Sequence, residues 1–163
     1  MGRIGSLSGR SAYAAEALER AAVIHEALAR DNPGFYGVDI VRNRLYAACQ
    51  RVEAGRPADA TACLRRAEDE LKRSPQVWAG LLLHDLACSH ILWSAAGREG
   101  AIGPAEREAR TRRAIAVLRR AITAGHADLM QVRRDPVLDP LRRRRDFEEM
   151  ILDLSFPADP FRS

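Results

Sequence analysis

Two landmarks recur in this chain at one separation. Gly9-Arg10 precedes Glu16-Ala17-Leu18-Glu19-Arg20-Ala21, and Gly55-Arg56 precedes Ala62-Cys63-Leu64-Arg65-Arg66-Ala67, with both doublets and both Arg-Ala pairs 46 residues apart. A looser third copy runs from Gly97-Arg98 to Ala109-Arg110-Thr111-Arg112-Arg113-Ala114, lengthened around Gly100-Ala101-Ile102-Gly103-Pro104. A fixed period of this size implies a supersecondary unit that buries its apolar face only by stacking on its neighbours. Each unit reads as a helix, a short Gly-Arg turn and a second helix rich in alanine, which is a helical hairpin.

Apolar spacing fills in the helices. The first, about 11–30, sets Ala14, Ala17, Leu18, Ala21, Ile24, His25 and Leu28 along one side, and Asp31-Asn32-Pro33-Gly34 stops it. A second, about 38–54, turns Val41, Leu45, Ala48, Cys49 and Val52 inward and ends at Gly55. Pro57 opens the third, about 57–73, where a missing N–H is harmless, and Ala60, Leu64, Ala67 and Leu71 form its core face. The fourth, about 76–96, is apolar on nearly every side, with Trp78, Leu81, Leu82, Leu83, Leu86, Ile91, Leu92 and Trp93, and is expected to be the most enclosed. Pro104 opens the fifth, whose expected C-cap is Gly125. With 6% aromatic residues and few β-branched clusters, helix is favoured almost throughout, and the expected class is all-α.

At 163 residues and 47% hydrophobic, the chain can bury the core of one ordinary domain. Cys49, Cys63 and Cys88 form no Cys-x-x-Cys pair and sit among apolar helical positions, which argues against a disulfide framework and for a reduced, cytoplasmic setting. No stretch of about 18 apolar residues occurs, so neither secretion nor membrane spanning is indicated.

The helical hairpins, with their Gly-Arg turns and Arg-Ala second helices, resemble tetratricopeptide repeats of a long-period kind, in which small alanines let paired helices approach closely. The tail resembles something narrower. The segment Ala114 to Ala124, Gly125-His126, Asp135-Pro136-Val137-Leu138-Asp139-Pro140-Leu141-Arg142, Asp146-Phe147 and Phe156-Pro157 is similar to the end of tetratricopeptide regions that follow the catalytic domain in a group of bacterial serine/threonine protein kinases. That resemblance implies stacked helical hairpins with a C-terminal capping segment and a role in recruitment or regulation beside a kinase domain. The kinase domain itself is absent: no glycine-rich nucleotide loop, Val-Ala-x-Lys, His-Arg-Asp or Asp-Phe-Gly occurs, so the chain is not expected to be an enzyme.

The expected organisation is 1–10 as a flexible remnant of a preceding repeat helix, 11–125 as helical repeats and 126–163 as a C-terminal cap. In that cap Leu138, Leu141, Phe147, Ile151, Leu154 and Phe156 cover the last hairpin while its arginines stay wet. If Gly9-Arg10 is a hairpin turn, the helix after it lacks its partner, and self-association through this N-terminal helix, or pairing with another domain, is expected.

Residues 98–145 hold 13 arginines against 6 acidic residues, which raises nucleic acid as a partner. The stronger expectation is a solvated, partly paired face, with Asp139-Pro140 as N-cap and first helical position and Arg142, Arg144 and Arg145 one turn before Asp146, Glu148 and Glu149. Of the four histidines, His84 and His90 are six positions apart and share a helical face poorly, and no carboxylate cluster is at hand in the sequence, so no metal, cofactor or catalytic residue is assigned. The candidate binding surface is the polar side of the second helix, Asp39, Arg42, Asn43, Tyr46 and Gln50, continued by Asp85 and Ser89 of the fourth. Arginine, asparagine and tyrosine there offer hydrogen bonds and flat contact area to a protein or peptide partner, including a kinase domain.

Overall fold

The computed structural model describes the backbone of residues 3–32, 35–73, 76–95 and 103–156 and, within these, the side chains of all but 3–8 and 76–81. Every regular element among them is helical: α1 (Arg3–Asp31), α2 (Gly37–Glu53), α3 (Pro57–Arg73), α4 (Gln76–Ala95), α5 (Pro104–Thr123), α6 (Leu129–Arg134), a 3-10 segment (Pro136–Leu141) and α7 (Arg145–Ser155). The all-α class expected from the sequence is the class observed. Trp78, Leu81, Gly97-Arg98 and the segment after Phe156 lie outside the described side chains or residues.

Local chemistry accounts for the boundaries. Gly55 (φ 76°) and Gly125 (φ 72°) both adopt the left-handed conformation that a helix C-terminus demands. At each, the glycine N–H donates to the carbonyl three residues back and the next N–H to the carbonyl five back, Arg56 to Arg51 and His126 to Ala121, both at 2.8 Å. Pro57 and Pro104 begin α3 and α5, as their fixed φ favours.

Gly9 is different. It lies inside α1, so the first Gly-Arg doublet is helix and not a turn. The doublet recurs in sequence, but at Gly55 the chain takes a positive φ, whereas at Gly9 it continues helical, and residues 3–10 belong to the same helix as 11–31.

The elements pack as an antiparallel series in which α1, α3 and α4 all contact α2, and α4 also contacts α3, α5 and the 3-10 segment. Val41, Leu45, Leu64, Leu82, Ile91 and Leu118 are essentially inaccessible at the centre of one core. Each such side chain contributes about 1.5–3 kcal/mol by leaving water. The enclosed character expected of α4 is seen from Leu82 to Trp93, except that Leu92 is 39% exposed. Trp93 is buried and carries the Arg110 guanidinium 4.6 Å above its ring.

α1 packs by an unexpected face. Among its described side chains Ala15 and Ala22 are buried and Leu18 packs partly buried on the core, whereas Ile24 (59% exposed) and Leu28 (42%), placed inward by their spacing, face outward with Tyr13 and Val23. Small residues beside Leu18 let α1 and α2 approach closely, and Tyr13, Val23, Ile24 and Leu28 are left outside that contact.

Beyond α5 the chain folds back. Leu138, Leu141, Phe147 and Ile151 are buried and Leu154 partly so, against α4 and α5, as expected of a cap; Val132 and Met150 join them. Phe156 does not, being 65% exposed just past the end of α7. The capping roles also differ from expectation. Asp135, not Asp139, is the N-cap, its Oδ1 accepting from Val137 N at 2.9 Å with Pro136 at the first position, and both Asp139 and Pro140 lie within the 3-10 segment.

Nor are the cap's arginines merely wet. Arg142 donates to the carbonyls of Arg133 and Asp135 and to Asp139 Oδ1, tying three stretches of the cap together. Arg144 makes two 2.8 Å hydrogen bonds to the Glu108 carboxylate on α5 and two more to the Asp146 carboxylate, at 3.0 and 2.8 Å, the bidentate geometry that suits a guanidinium. These contacts hold the Glu108 and Asp146 carboxyls below their ordinary range, hydrogen bonding from Arg144 being the chief cause.

Candidate functional site

The polar side of α2 meets α1 on one flank and α4 on the other. Arg42 Nε donates to Asp85 Oδ2 at 3.2 Å, so the expected partners on α2 and α4 are joined across the helix interface, with side chains 40% and 25% exposed. Tyr46, one turn on from Arg42, stands 46% exposed. Asp39, in the first turn of α2, and Gln50, two turns below Asn43, are both part-exposed. Asn43 is turned toward α1, where its Nδ2 donates to His25 Nδ1 at 3.3 Å.

Ser89 leaves the set. It is buried, its hydroxyl donates to the Asp85 carbonyl at 2.8 Å, and it hydrogen-bonds the Cys49 thiol, so it cannot reach a partner. A short polar side chain inside a helix satisfies itself on the preceding turn, and that local bond turned Ser89 inward.

Sequence reasoning missed an aromatic extension of the same surface. His25 stacks on Tyr36 with ring centroids 5.5 Å apart and planes 21° apart, and Phe35 meets Tyr36 edge-on at 5.2 Å while remaining 74% exposed. The spacing on α1 puts His25 on its inner side, and there it is half-buried and oriented by Asn43 of α2. The signal available was the Phe35-Tyr36 pair directly before α2, in a loop where exposed aromatics have no core to fill.

The remaining titratable groups are structural or clustered. His90 is fully buried, with Nε2 donating to Glu68 Oε1 at 3.2 Å. That hydrogen bond, against the opposing effect of burial and with Arg113 nearby, holds the Glu68 carboxyl down at about 2. Burial pushes all three thiols up; Cys63, which donates to Glu19 Oε1 at 2.7 Å, is raised to about 12. None is the thiolate that nucleophilic attack requires at neutral pH. His84 and Cys88, one turn apart on α4, are joined by Asp135 from the cap, a carboxylate whose proximity the sequence did not reveal.

The arginine-rich region is extensively paired. Arg110 meets Glu106, Arg112 and Arg144 meet Glu108, Arg113 meets Glu68, Arg119 meets Asp153 and Arg145 meets Glu149. Among the described residues no helix is long and apolar enough to cross a membrane. Comparison with known proteins gives no match to a family model, to a curated protein or to a solved structure.

Proposed function

We propose that this chain is a non-catalytic, tetratricopeptide-like scaffold that holds an extended segment of a partner protein on the face shared by α2 and α4. One observation carries the reading: the Arg42–Asp85 pair spans two packed helices beside exposed Tyr46, giving a fixed anion-binding and cation-binding couple next to a flat aromatic surface. Rigid helices pre-organise such groups, which reduces the ordering cost of binding, and tyrosine and arginine are the side chains that most often dominate interfaces. Asp39 and Gln50 extend the strip along α2. The resemblance of the tail to kinase-associated repeat regions adds that a serine/threonine kinase domain, in the same polypeptide or in another, is the partner or the neighbour. Self-association through the open face of α1 is a second part of the proposal, supported by its exposed apolar row.

The test is capture from a lysate of the source cell by the wild-type chain, by Tyr46→Ala and by Arg42→Ala, with and without nuclease and at two salt concentrations. Proteins held by the wild type after nuclease and salt, and lost from both variants while circular dichroism is unchanged, support the scaffold. Capture unaffected by both substitutions removes the α2–α4 face. Capture that vanishes with nuclease or salt shifts the reading to nucleic acid on the arginine-rich surface, because phosphate contacts weaken steeply as salt rises.

A further inference from the structure

His84 and Cys88 project from one face of α4 at the i, i+4 spacing. Asp135 reaches them from the junction of α6 and the 3-10 segment, which packs on α4. His84 Nε2 lies 3.1 Å from Asp135 Oδ2, and Cys88 Sγ lies 3.7 Å from that oxygen and 3.9 Å from His84 Nε2. In a tetrahedral zinc site, bonds of about 2.0–2.2 Å to nitrogen and oxygen and about 2.3 Å to sulfur separate the ligand atoms by about 3.4 Å, or about 3.6 Å where sulfur is one of the pair. The three observed edges straddle those separations.

Supporting contacts fix the carboxylate. Asp135 Oδ1 accepts from Val137 N at 2.9 Å, so one oxygen is committed to the turn and the other is presented to His84 and Cys88. Metal-binding carboxylates are commonly oriented by just such an outer hydrogen bond. The His84 and Asp135 side chains are 15% and 16% exposed, sheltered from bulk water yet reachable by an ion. A Cys-His-Asp relay for nucleophilic chemistry is a poorer match. Cys88 Sγ is 3.8 Å from Nδ1 and 3.9 Å from Nε2 of His84, beside the ring and in line with neither nitrogen, so direct transfer of the thiol proton is not set up, and an ion held at Nε2 reaches the thiolate once the imidazole turns about its Cβ–Cγ bond.

We propose that His84, Cys88 and Asp135 form a mononuclear site for a divalent transition-metal ion of the zinc type, with a water in the fourth position. Mixed nitrogen, sulfur and oxygen ligation favours such an ion over magnesium or calcium, which prefer all-oxygen shells. Cys88 binds as thiolate and its proton passes to solvent. Two ligands come from the repeat helices and one from the cap, so the ion would fasten the cap to α4.

Co²⁺ titration of the reduced, tag-free full chain tests this, read by absorbance and followed by Zn²⁺ displacement. The expected result is one equivalent of Co²⁺ with intense tetrahedral visible bands and a sulfur charge-transfer band, all bleached by Zn²⁺. Cys88→Ser, nearly isosteric, should abolish the sulfur band, and His84→Gln and Asp135→Asn should each weaken binding by about tenfold or more. Asp135→Asn retains a side-chain oxygen for Val137 N, so the turn persists, while Cys49→Ser and Cys63→Ser should leave the spectrum unchanged. No saturable binding at millimolar Co²⁺, or a sulfur band that survives Cys88→Ser, overturns the proposal.

Discussion

The two ends of the helical array solve the same problem in opposite ways. At the C-terminal end, Leu138, Leu141 and Met150 are fully buried and Phe147 nearly so, and Arg142 and Arg144 tie the segment to itself and to α5. At the N-terminal end, α1 buries Ala15 and Ala22 with Leu18 partly so, meets α2 through polar pairs such as His25–Asn43 and Glu26–Arg44, and leaves Tyr13, Val23, Ile24 and Leu28 open. Both segments are apolar enough to be drawn to the core. What separates them is which described side chains face inward: large ones in the cap, which seal it, and in α1 mostly small ones with Leu18 alone among the large, which bring two helices close but leave much of its apolar surface unpartnered. Contiguous apolar exposure of this kind marks a surface that another body covers.

The largest expected effect sets the ends apart energetically. Leu141→Ala should cost about 2–5 kcal/mol in urea unfolding, the range for emptying a well-packed leucine site. Ile24→Ala, on the open face of α1, should change stability by no more than about 0.5 kcal/mol. Comparable losses at the two positions would erase the distinction. The same α1 face should act in assembly instead. Sedimentation of the wild type is expected to show mass rising with concentration, and the double substitution Tyr13→Ser with Ile24→Glu should restore a monomer whose unfolding midpoint matches that of the wild type at dilutions where the wild type is itself monomeric. A wild type that stays monomeric at high concentration would leave the apolar row without a role in self-association.

A subtler contrast lies between the first two Gly-Arg doublets. Alanine at Gly55 meets a left-handed backbone and should destabilise by about 1–2 kcal/mol, although no neighbouring atom would touch the new Cβ. Alanine at Gly9, inside a helix and equally uncrowded, should stabilise by about 0.5–1 kcal/mol. Opposite signs in thermal unfolding would show that only one of the two doublets is a turn. Equal signs would reopen the reading of residues 1–10 as a separate helix.

Most of the helical layout could be read from the sequence because its signals are local. Pro57, Pro104, Gly55 and Gly125 set boundaries through their own backbone chemistry, and α2 to α5 fall within a residue or two of the ranges their apolar spacing implies. Gly9 carried the same letters without the same conformation, since a glycine permits a turn but does not impose one. On α1, apolar spacing pointed inward at Ile24 and Leu28, whereas the close approach to α2 selected Ala15 and Ala22, a choice made by the neighbouring helix. The candidate surface was legible where its residues share one helix, as with Arg42 and Tyr46. It was not where partners are remote: Asp135 lies 47 positions from Cys88, and only the folding of the cap onto α4 brings them together. Ser89 was misplaced for the converse reason, because its polar character suggested solvent while its own helix offered it a carbonyl.

The smallest expected effect concerns the ionic clasp that distinguishes the cap. Glu108 is held below 4.5 and Asp146 below 3.8 by Arg144, so both bind protons more weakly in the folded chain than in the unfolded one. A depressed carboxylate contributes stability that is fully present above its unfolded value and is lost as pH falls through its folded value. Glu108 is solvent-exposed, which keeps the contribution modest and sensitive to salt. Glu108→Gln should therefore lower the melting temperature at pH 7, and the gap from wild type should narrow below about pH 4.5, closing once Glu108 is protonated in both states. A Glu108→Gln gap that persists unchanged at pH 3 would mean that shape rather than charge holds Arg144 in place, and the cap would then owe its closure to Leu138, Leu141, Phe147 and Met150 alone.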